Sequence, residues 1–463
     1  MTPAAQESRK TVPGAQELEA RTNEEALRLH RFYQGKIQLA PKCPIRDARD
    51  FSWLYTPGVA APCLAIQANP AEVYDLTNKA NLIAVVSDGS RVLGLGNIGP
   101  LAGLPVMEGK ALLFKYLGGV DAVALCLDTQ DQREFVRTVQ LLEPSFGAIN
   151  LEDIAQPRCF RVLNELRRTM KIPVWHDDQQ GSATVLVAGL INALRVVSKA
   201  ISSIRIAMIG MGAANVAIYR LLKAAGAIPA GIVACDSKGT LHRNRRDIEE
   251  RRFESPEKWA VCRETNPEAL TGGIEQALRG ADVCIAFACS DPTLIEPAWV
   301  RAMAHDAIVF ACANPEPEIW PWDAKEAGAR IVATGRSDFC NQLNNSLVFP
   351  AIFRGTLDAR ATTISDEMAL AAARELARCA EDRGLAEDSI LPSMDDVQVV
   401  ARVAAATALK AQEQGFSEAH RSREEYIEHA TCRILRSRNM SRILTGDDPP
   451  EHLSPIGAVN PAA

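Results

Sequence analysis

Twelve cysteines are spread over 463 residues, and no two of them stand in a C-x-x-C pair. Several lie inside apolar runs, Cys126 in VALCL, Cys235 in IVACD and Cys284 in VCIAFAC. They read as small buried thiols in a reducing compartment, not as a disulfide framework. The seven histidines form neither H-E-x-x-H nor H-x-x-x-H, which leaves a zinc-hydrolase site without support. No uninterrupted apolar run reaches membrane-spanning length, and the opening MTPAAQESRKTVPGAQE has no apolar signal core. A formal net charge of −6 gives no reason to expect nucleic-acid or membrane partners. The expectation is a cytoplasmic protein. A chain of this length exceeds one hydrophobic core, so two or three domains are expected, and 47% hydrophobic with 23% charged residues is ordinary for a soluble globular chain.

What is present is concentrated in INLEDIAQPRCFRVLNELRRTMKIPVWHDDQQGSA, residues 149–183. Two acidic pairs, Glu152-Asp153 and Asp177-Asp178, each end a short apolar run, and a helical segment separates them. Parallel strands joined by one crossover helix finish on the same edge of a sheet, so both pairs are predicted to share one crevice. Four carboxylates in one crevice need a compensating cation, and all-oxygen ligands suit Mg²⁺ or Mn²⁺. The alternative is that each pair is a solvated turn or a helix cap.

Strands and helices alternate on both sides of this stretch. NLIAVVSDG reads as a strand and is followed by Gly94-Leu95-Gly96-Asn97-Ile98-Gly99. Pro100, Gly103 and Pro105 come where a phosphate-capping helix should start, so this glycine loop is read as shaping a substrate pocket. A helix is predicted from Met107, which puts Lys110 near its start, where the helix dipole would lower the lysine pKa as a base requires. A solvated surface lysine is the other reading. Before these strands, residues 36–63 are read as an ordered proline-rich loop carrying Tyr55, either a packing residue or an acid.

After Gly181 a buried helix with Ser182 as N-cap is predicted, then strand IRIAMIG, the loop Gly210-Met211-Gly212-Ala213-Ala214-Asn215, a helix, and strand AGIVACD ending at Asp236. This is a dinucleotide fingerprint in its proper setting. Gly210 permits the turn, Gly212 admits a pyrophosphate, and the helix N-terminus faces the ligand's charge. Asn215 stands where a third glycine is usual. Asp236 suits ribose hydroxyls and favours NAD⁺, while Ser237, Lys238, His242 and Arg243 leave NADP⁺ open. Asn314, before Pro315, and Asn344-Asn345 follow later strands, as turn residues or as donors to a carboxylate. The fold class expected is α/β. A disordered tail (1–16) precedes an N-terminal α/β catalytic domain (17–181), a Rossmann-type doubly wound dinucleotide-binding domain (182–343) and a helical C-terminal segment (344–463) ending in a proline-rich arm.

YTPGVAAPC, SDGSRVLGLGNIGPLAGLPVMEGKALLFK, INLEDIAQPRCF, PVWHDDQQGSATV, GMGAANVA, ANPEPEI, NQLNNSLVFPAIFRGTLDA and ISDEMALAAAREL together resemble the compact bacterial and archaeal form of the malic enzyme family, from Gly35 to Ser393. The resemblance implies oxidative decarboxylation of L-malate to pyruvate and CO₂ with NAD(P)⁺ and a divalent metal, in a dimer or larger homo-oligomer. It implies Glu152, Asp153 and Asp178 as metal ligands, with Asp177 an acidic neighbour that tunes the site. Lys110 matches the general base, Tyr55 the general acid, and Arg91, Asn314 and Asn345, with Asn344 beside them, the residues that hold substrate carboxylates. Gln180 departs from a histidine common in compact members, and Arg91 resembles the larger eukaryotic enzymes. A malolactic enzyme, which retains its NADH and releases lactate, shares the same motifs. A non-catalytic nucleotide-binding relative is the alternative from another class.

Overall fold

The computed structural model describes residues 15–336 and 338–446. The greater part of the expected N-terminal tail and the whole of the proline-rich arm lie outside the described residues. Two sheets organise the chain. The first holds β1 (Leu82–Ser87), β2 (Asp121–Cys126), β3 (Ala148–Leu151) and β4 (Val174–His176), all parallel, in the order β2-β1-β3-β4. The second holds β5 (Ile206–Ile209), β6 (Ile232–Asp236), β7 (Gly239–Thr240), β8 (Val283–Ala286), β9 (Ile308–Ala311) and β10 (Ile331–Thr334). Its order is β10-β9-β8-β5-β6-β7, parallel throughout except for the β6–β7 hairpin.

Helices cover both faces of such sheets, so their strands read as continuous apolar runs and not as alternating ones. LIAVV, AINL, VCIA and IVFA fit that rule, and nearly every residue in them is buried. The apolar helix Ser182–Val196, which lies between the two sheets in the sequence, packs on the helix Ala213–Ala225 and on Asp366–Glu381. The C-terminal helices turn back to the first sheet. Phe349–Asp358 and Arg423–Thr445 both lie on Gly99–Gly118, and Val397–Glu413 packs between its helical neighbours. Phe114, Phe349 and Phe353 meet there with ring centroids 4.6 and 4.9 Å apart.

Three sequence expectations are corrected. The helix carrying Lys110 begins at Gly99, not Met107. Pro100 sits in its first turn, where a missing N–H is harmless, and Pro105 is accommodated inside it. Lys110 therefore lies deep in the helix, and the dipole argument for it fails. The stretch 36–63 is not all loop, since Ala48–Leu54 is helical and a second helix, Ala60–Ala68, begins within it. Ser182 is the first residue of its helix and makes no capping hydrogen bond, because residues 177–181 form a wide π-type turn that runs directly into it.

Candidate active site

Leu151 at the end of β3 pairs with His176 at the end of β4, so Glu152 and Asp177 leave the sheet side by side. The shared crevice expected from the sequence is formed. Glu152, Asp153 and Asp178 each offer a carboxylate oxygen within 4.8 Å of the others. The backbone N–H of Asp153, a residue in the left-handed region at φ 54°, donates to Asp178 Oδ2 at 2.9 Å and ties the two strand tips together. Asn150 Nδ2 donates to Glu152 Oε2 at 2.9 Å. Asp153 Oδ2 is buried without a hydrogen-bond partner. Burial, reinforced by Asp178, pushes the Asp153 carboxyl up to about 8, and burial raises Glu152 well above its ordinary range against the pull of Lys110. An all-oxygen set with surplus negative charge and an orphaned oxygen fits a hard divalent cation such as Mg²⁺ or Mn²⁺.

Lys110 enters this crevice from the helix above it. Its Nζ donates to Asp177 Oδ2 at 2.5 Å and to Asn345 Oδ1 at 3.3 Å, lies 3.1 Å from Glu152 Oε1, and stands 4.5 Å from the centre of the Phe349 ring. Burial opposes its charge, but Asp177, Glu152 and Asp178 outweigh burial and hold its pKa above the ordinary value. The lowered pKa expected from the sequence is corrected to a raised one. Asp177, fully buried, also accepts from Trp175 Nε1 at 3.1 Å. Gly181 makes room for it, since a Cβ there would stand 2.0 Å from Asp177 Oδ1. Gln180 Oε1 accepts from the His176 backbone N–H at 3.0 Å, a local structural tie.

Other candidates lie at the margin. Arg91 donates its backbone N–H to the Asp153 carbonyl at 3.0 Å, while its exposed side chain donates to Leu93 O at 2.8 Å. Asn314 sits between Gly94 and Gly335, and Asn344 accepts from the Ser346 N–H at 2.9 Å. Tyr55 is 69% exposed and is not among the residues the crevice brings together. Phe349 beneath Lys110 was not singled out in the sequence, where nothing distinguishes it from a core phenylalanine.

The dinucleotide loop adjoins this crevice. The helix Ala213–Ala225 packs against the turn 177–181. Gly210 at φ 83° needs to be glycine, because a Cβ would stand 2.5 Å from Phe287 O. Gly212 faces open space, its nearest neighbour being Gln156 Nε2 of the acidic loop, 3.8 Å from where a Cβ would be. Ala213 and Ala214 open the helix, so backbone N–H groups point into that space. Asn215, fully buried, donates Nδ2 to the carbonyls of Ile209 and Gly210 at 2.9 and 2.5 Å and so pins the loop that a third glycine would otherwise shape. Asp236 ends the neighbouring strand β6.

A doubly wound nucleotide-binding sheet beside a crevice of one lysine and four acids defines a dinucleotide-dependent oxidoreductase. Comparison with known proteins narrows this further. Family profiles described as "Malic enzyme, N-terminal domain" and "Malic enzyme, NAD binding domain" match residues 34–167 and 179–412. The chain is 47% identical over 409 residues to the "Bifunctional malic/malolactic enzyme" of Bacillus subtilis (strain 168), covering 88% of this chain and 97% of that one. It is 47% identical over 383 residues to the "NAD-dependent malic enzyme" of Geobacillus stearothermophilus, covering 83% and 78%. The crystal structure of the Entamoeba histolytica malic enzyme superposes with a TM-score of 0.91 at 43% identity, covering 96% of this chain and 94% of that one. The chain belongs to the malic enzyme family.

Proposed function

We propose that the chain oxidises L-malate at C2 and releases its β-carboxylate as CO₂, yielding pyruvate and reduced NAD(P). The observation that carries this reading is the meeting of Lys110, Glu152, Asp153, Asp177 and Asp178 in one buried crevice beside the dinucleotide loop. Glu152, Asp153 and Asp178 would hold Mg²⁺ or Mn²⁺, which when bound supplies Lewis-acid polarisation of substrate oxygens. Lys110 would take the C2 hydroxyl proton, and a bound dinucleotide would supply the hydride acceptor for C2. The acidic field now keeps Lys110 protonated. Once that field is neutralised, burial dominates and favours the free amine that a base must be. Asp177 then receives the hydrogen bond of the charged lysine, and Asn345 fixes the direction of its Nζ. Arg91, Asn314 and Asn344 border the space where the substrate carboxylates would lie.

Tyr55 is assigned the proton delivery to C3, which replaces the proton Lys110 removed. Its exposure supports a homo-oligomer, since Phe51, Trp53 and Leu54 around it are also exposed and the apolar helix Ala60–Ala68 buries no residue. A second copy covering this face would carry Tyr55 out of solvent and toward a crevice. Twelve free cysteines support a reducing, cytoplasmic setting. The test is product analysis with malate, Mn²⁺ and NAD⁺ or NADP⁺. Stoichiometric pyruvate and free reduced cofactor are expected, whereas lactate without released cofactor would assign the malolactic reaction instead.

A further inference from the structure

Glu318 is wholly buried in the dinucleotide domain, and no lysine or arginine pairs with it among the described residues. Packing alone would favour an apolar side chain there, because an unpaired carboxylate is costly to bury. Backbone N–H groups answer its charge instead. Its Oε1 accepts from the Ala288 N–H at 2.7 Å and its Oε2 from the Ala313 N–H at 3.1 Å. Ala286 and Ala311 are paired at the ends of β8 and β9, and each stands two residues before one of these donors. The carboxylate therefore bridges the loops that leave the two strands. Pro315 and Pro317 remove two N–H groups from the second loop, which leaves it fewer bonds of its own to hold a shape. Bonds to the first loop hold it instead. Glu316 donates its N–H to Ser290 Oγ at 2.8 Å, and Glu318 O accepts from the Ile295 N–H at 3.0 Å.

These loops stand where the second half of a dinucleotide lies. The Gly210 turn follows β5, with β6 and Asp236 on one side of it, so the sheet order leaves β8 and β9, on the other side, for the nicotinamide half. The first loop touches that turn, since Phe287 O stands 2.5 Å from where a Cβ on Gly210 would be. The second carries Asn314, whose carbonyl would stand 2.8 Å from a Cβ on Gly94, in the segment whose Arg91 N–H donates to Asp153 O. The two loops join the nucleotide turn to the edge of the acidic crevice, and their spacing decides how a ring between them faces it. Being buried, Glu318 acts through the loops and not on the ligand.

We infer that Glu318 is a positioning residue for hydride transfer: with Ser290 as a second tie, its carboxylate holds the loops after β8 and β9 at the spacing that turns the nicotinamide ring toward the crevice. This rests on the dinucleotide reading of the loop Gly210–Asn215 and deepens it. The test is calorimetric titration of the full chain with NADH and with ADP-ribose, which lacks the nicotinamide, so that no turnover is needed. Glu318→Gln keeps the shape of the side chain but sets an NH₂ group against one of the two N–H donors and frees one loop. It is expected to weaken NADH binding about tenfold while ADP-ribose binding changes by less than about twofold. Ser290→Ala removes the second tie at a half-buried position and carries the test if Glu318→Gln does not fold. It is expected to weaken NADH selectively, by about threefold. Unchanged NADH binding, or an equal loss for both ligands as a merely structural role would give, would overturn the inference alone. Failure of the wild type to bind either ligand would overturn the dinucleotide reading and the inference with it.

Discussion

Two regions of this molecule bury carboxylates beside a cation, and they do so to opposite effect. Beneath the first sheet, Arg354, 1% exposed, donates to Asp358 Oδ1 and to Asn81 Oδ1, each at 2.5 Å. Burial alone would raise the Asp358 carboxyl, but Arg354 and His429 overcome it and hold the pKa below its ordinary value. There Asp358 meets Arg354 and His429 and its charge is balanced, although Asp358 Oδ2 and Arg354 Nε make no hydrogen bond. In the crevice a single lysine faces four carboxylates, and Glu152 and Asp153 are driven upward. A matched buried pair, here one turn apart on the helix Phe349–Asp358, stands as it is, whereas a cluster with surplus like charge is destabilised until a counter-charge is added. The second arrangement is the one proposed above as the functional site.

The contrast can be broken from either side. The largest effect is expected for Lys110→Ala, which should cut kcat/KM for malate roughly 10⁴-fold, the upper range for one acid–base residue, while leaving nucleotide binding intact in calorimetry. Near-normal turnover would remove the lysine from the mechanism. Arg354→Met should cost about 3 kcal/mol of stability, because Asp358 is left buried with only His429 beside it, and denaturant unfolding measures it. A loss under about 1 kcal/mol would mean that the pair is not matched as described.

The two regions should also respond oppositely to pH. Asp358 has a folded pKa below the unfolded value of about 3.9, so its stabilisation is complete above that value and is lost as the pH falls through the folded pKa. Asp153 has a folded pKa of about 8, so the metal-free protein binds more protons folded than unfolded and loses stability as pH rises from about 4 toward 8. Asp153→Asn should flatten that loss and raise the metal-free melting temperature near neutral pH by a few degrees. Thermal melts of both proteins across this range, with chelator present, check it, and parallel curves would show that Asp153 is not strained.

Much of this was legible in the sequence, and the exceptions share a cause. Apolar runs ending in Glu152-Asp153 and Asp177-Asp178 encode both the strands and the register that joins their tips, since parallel strands with one crossover admit few arrangements. Gly210 and Asp236 were legible for the same reason, being fixed to strand ends. What escaped depends on partners far along the chain. Lys110 has its pKa set by Glu152 and Asp177 and its Nζ aimed by Asn345, so no window around the residue reports its environment. Lys258 reaches Asp236 from the separate helix Pro256–Glu264, outside the run Ser237, Lys238, His242 and Arg243 to which the sequence pointed, and of these Arg243 donates instead to Pro267 O at 3.3 Å. The helix starting at Gly99 was missed because tertiary packing against the Phe349–Asp358 helix overrides the local preference of Pro105 and Gly103.

The most direct test of the unmatched crevice is titration of Mn²⁺ into chelator-treated protein by calorimetry, with the wild type and Asp178→Asn side by side. One site per chain is expected in the wild type, with affinity lowered on the order of 100-fold by the substitution. An isotherm unchanged by Asp178→Asn, or no binding to the wild type, would contradict the claim that these strand-tip acids are held together for a cation.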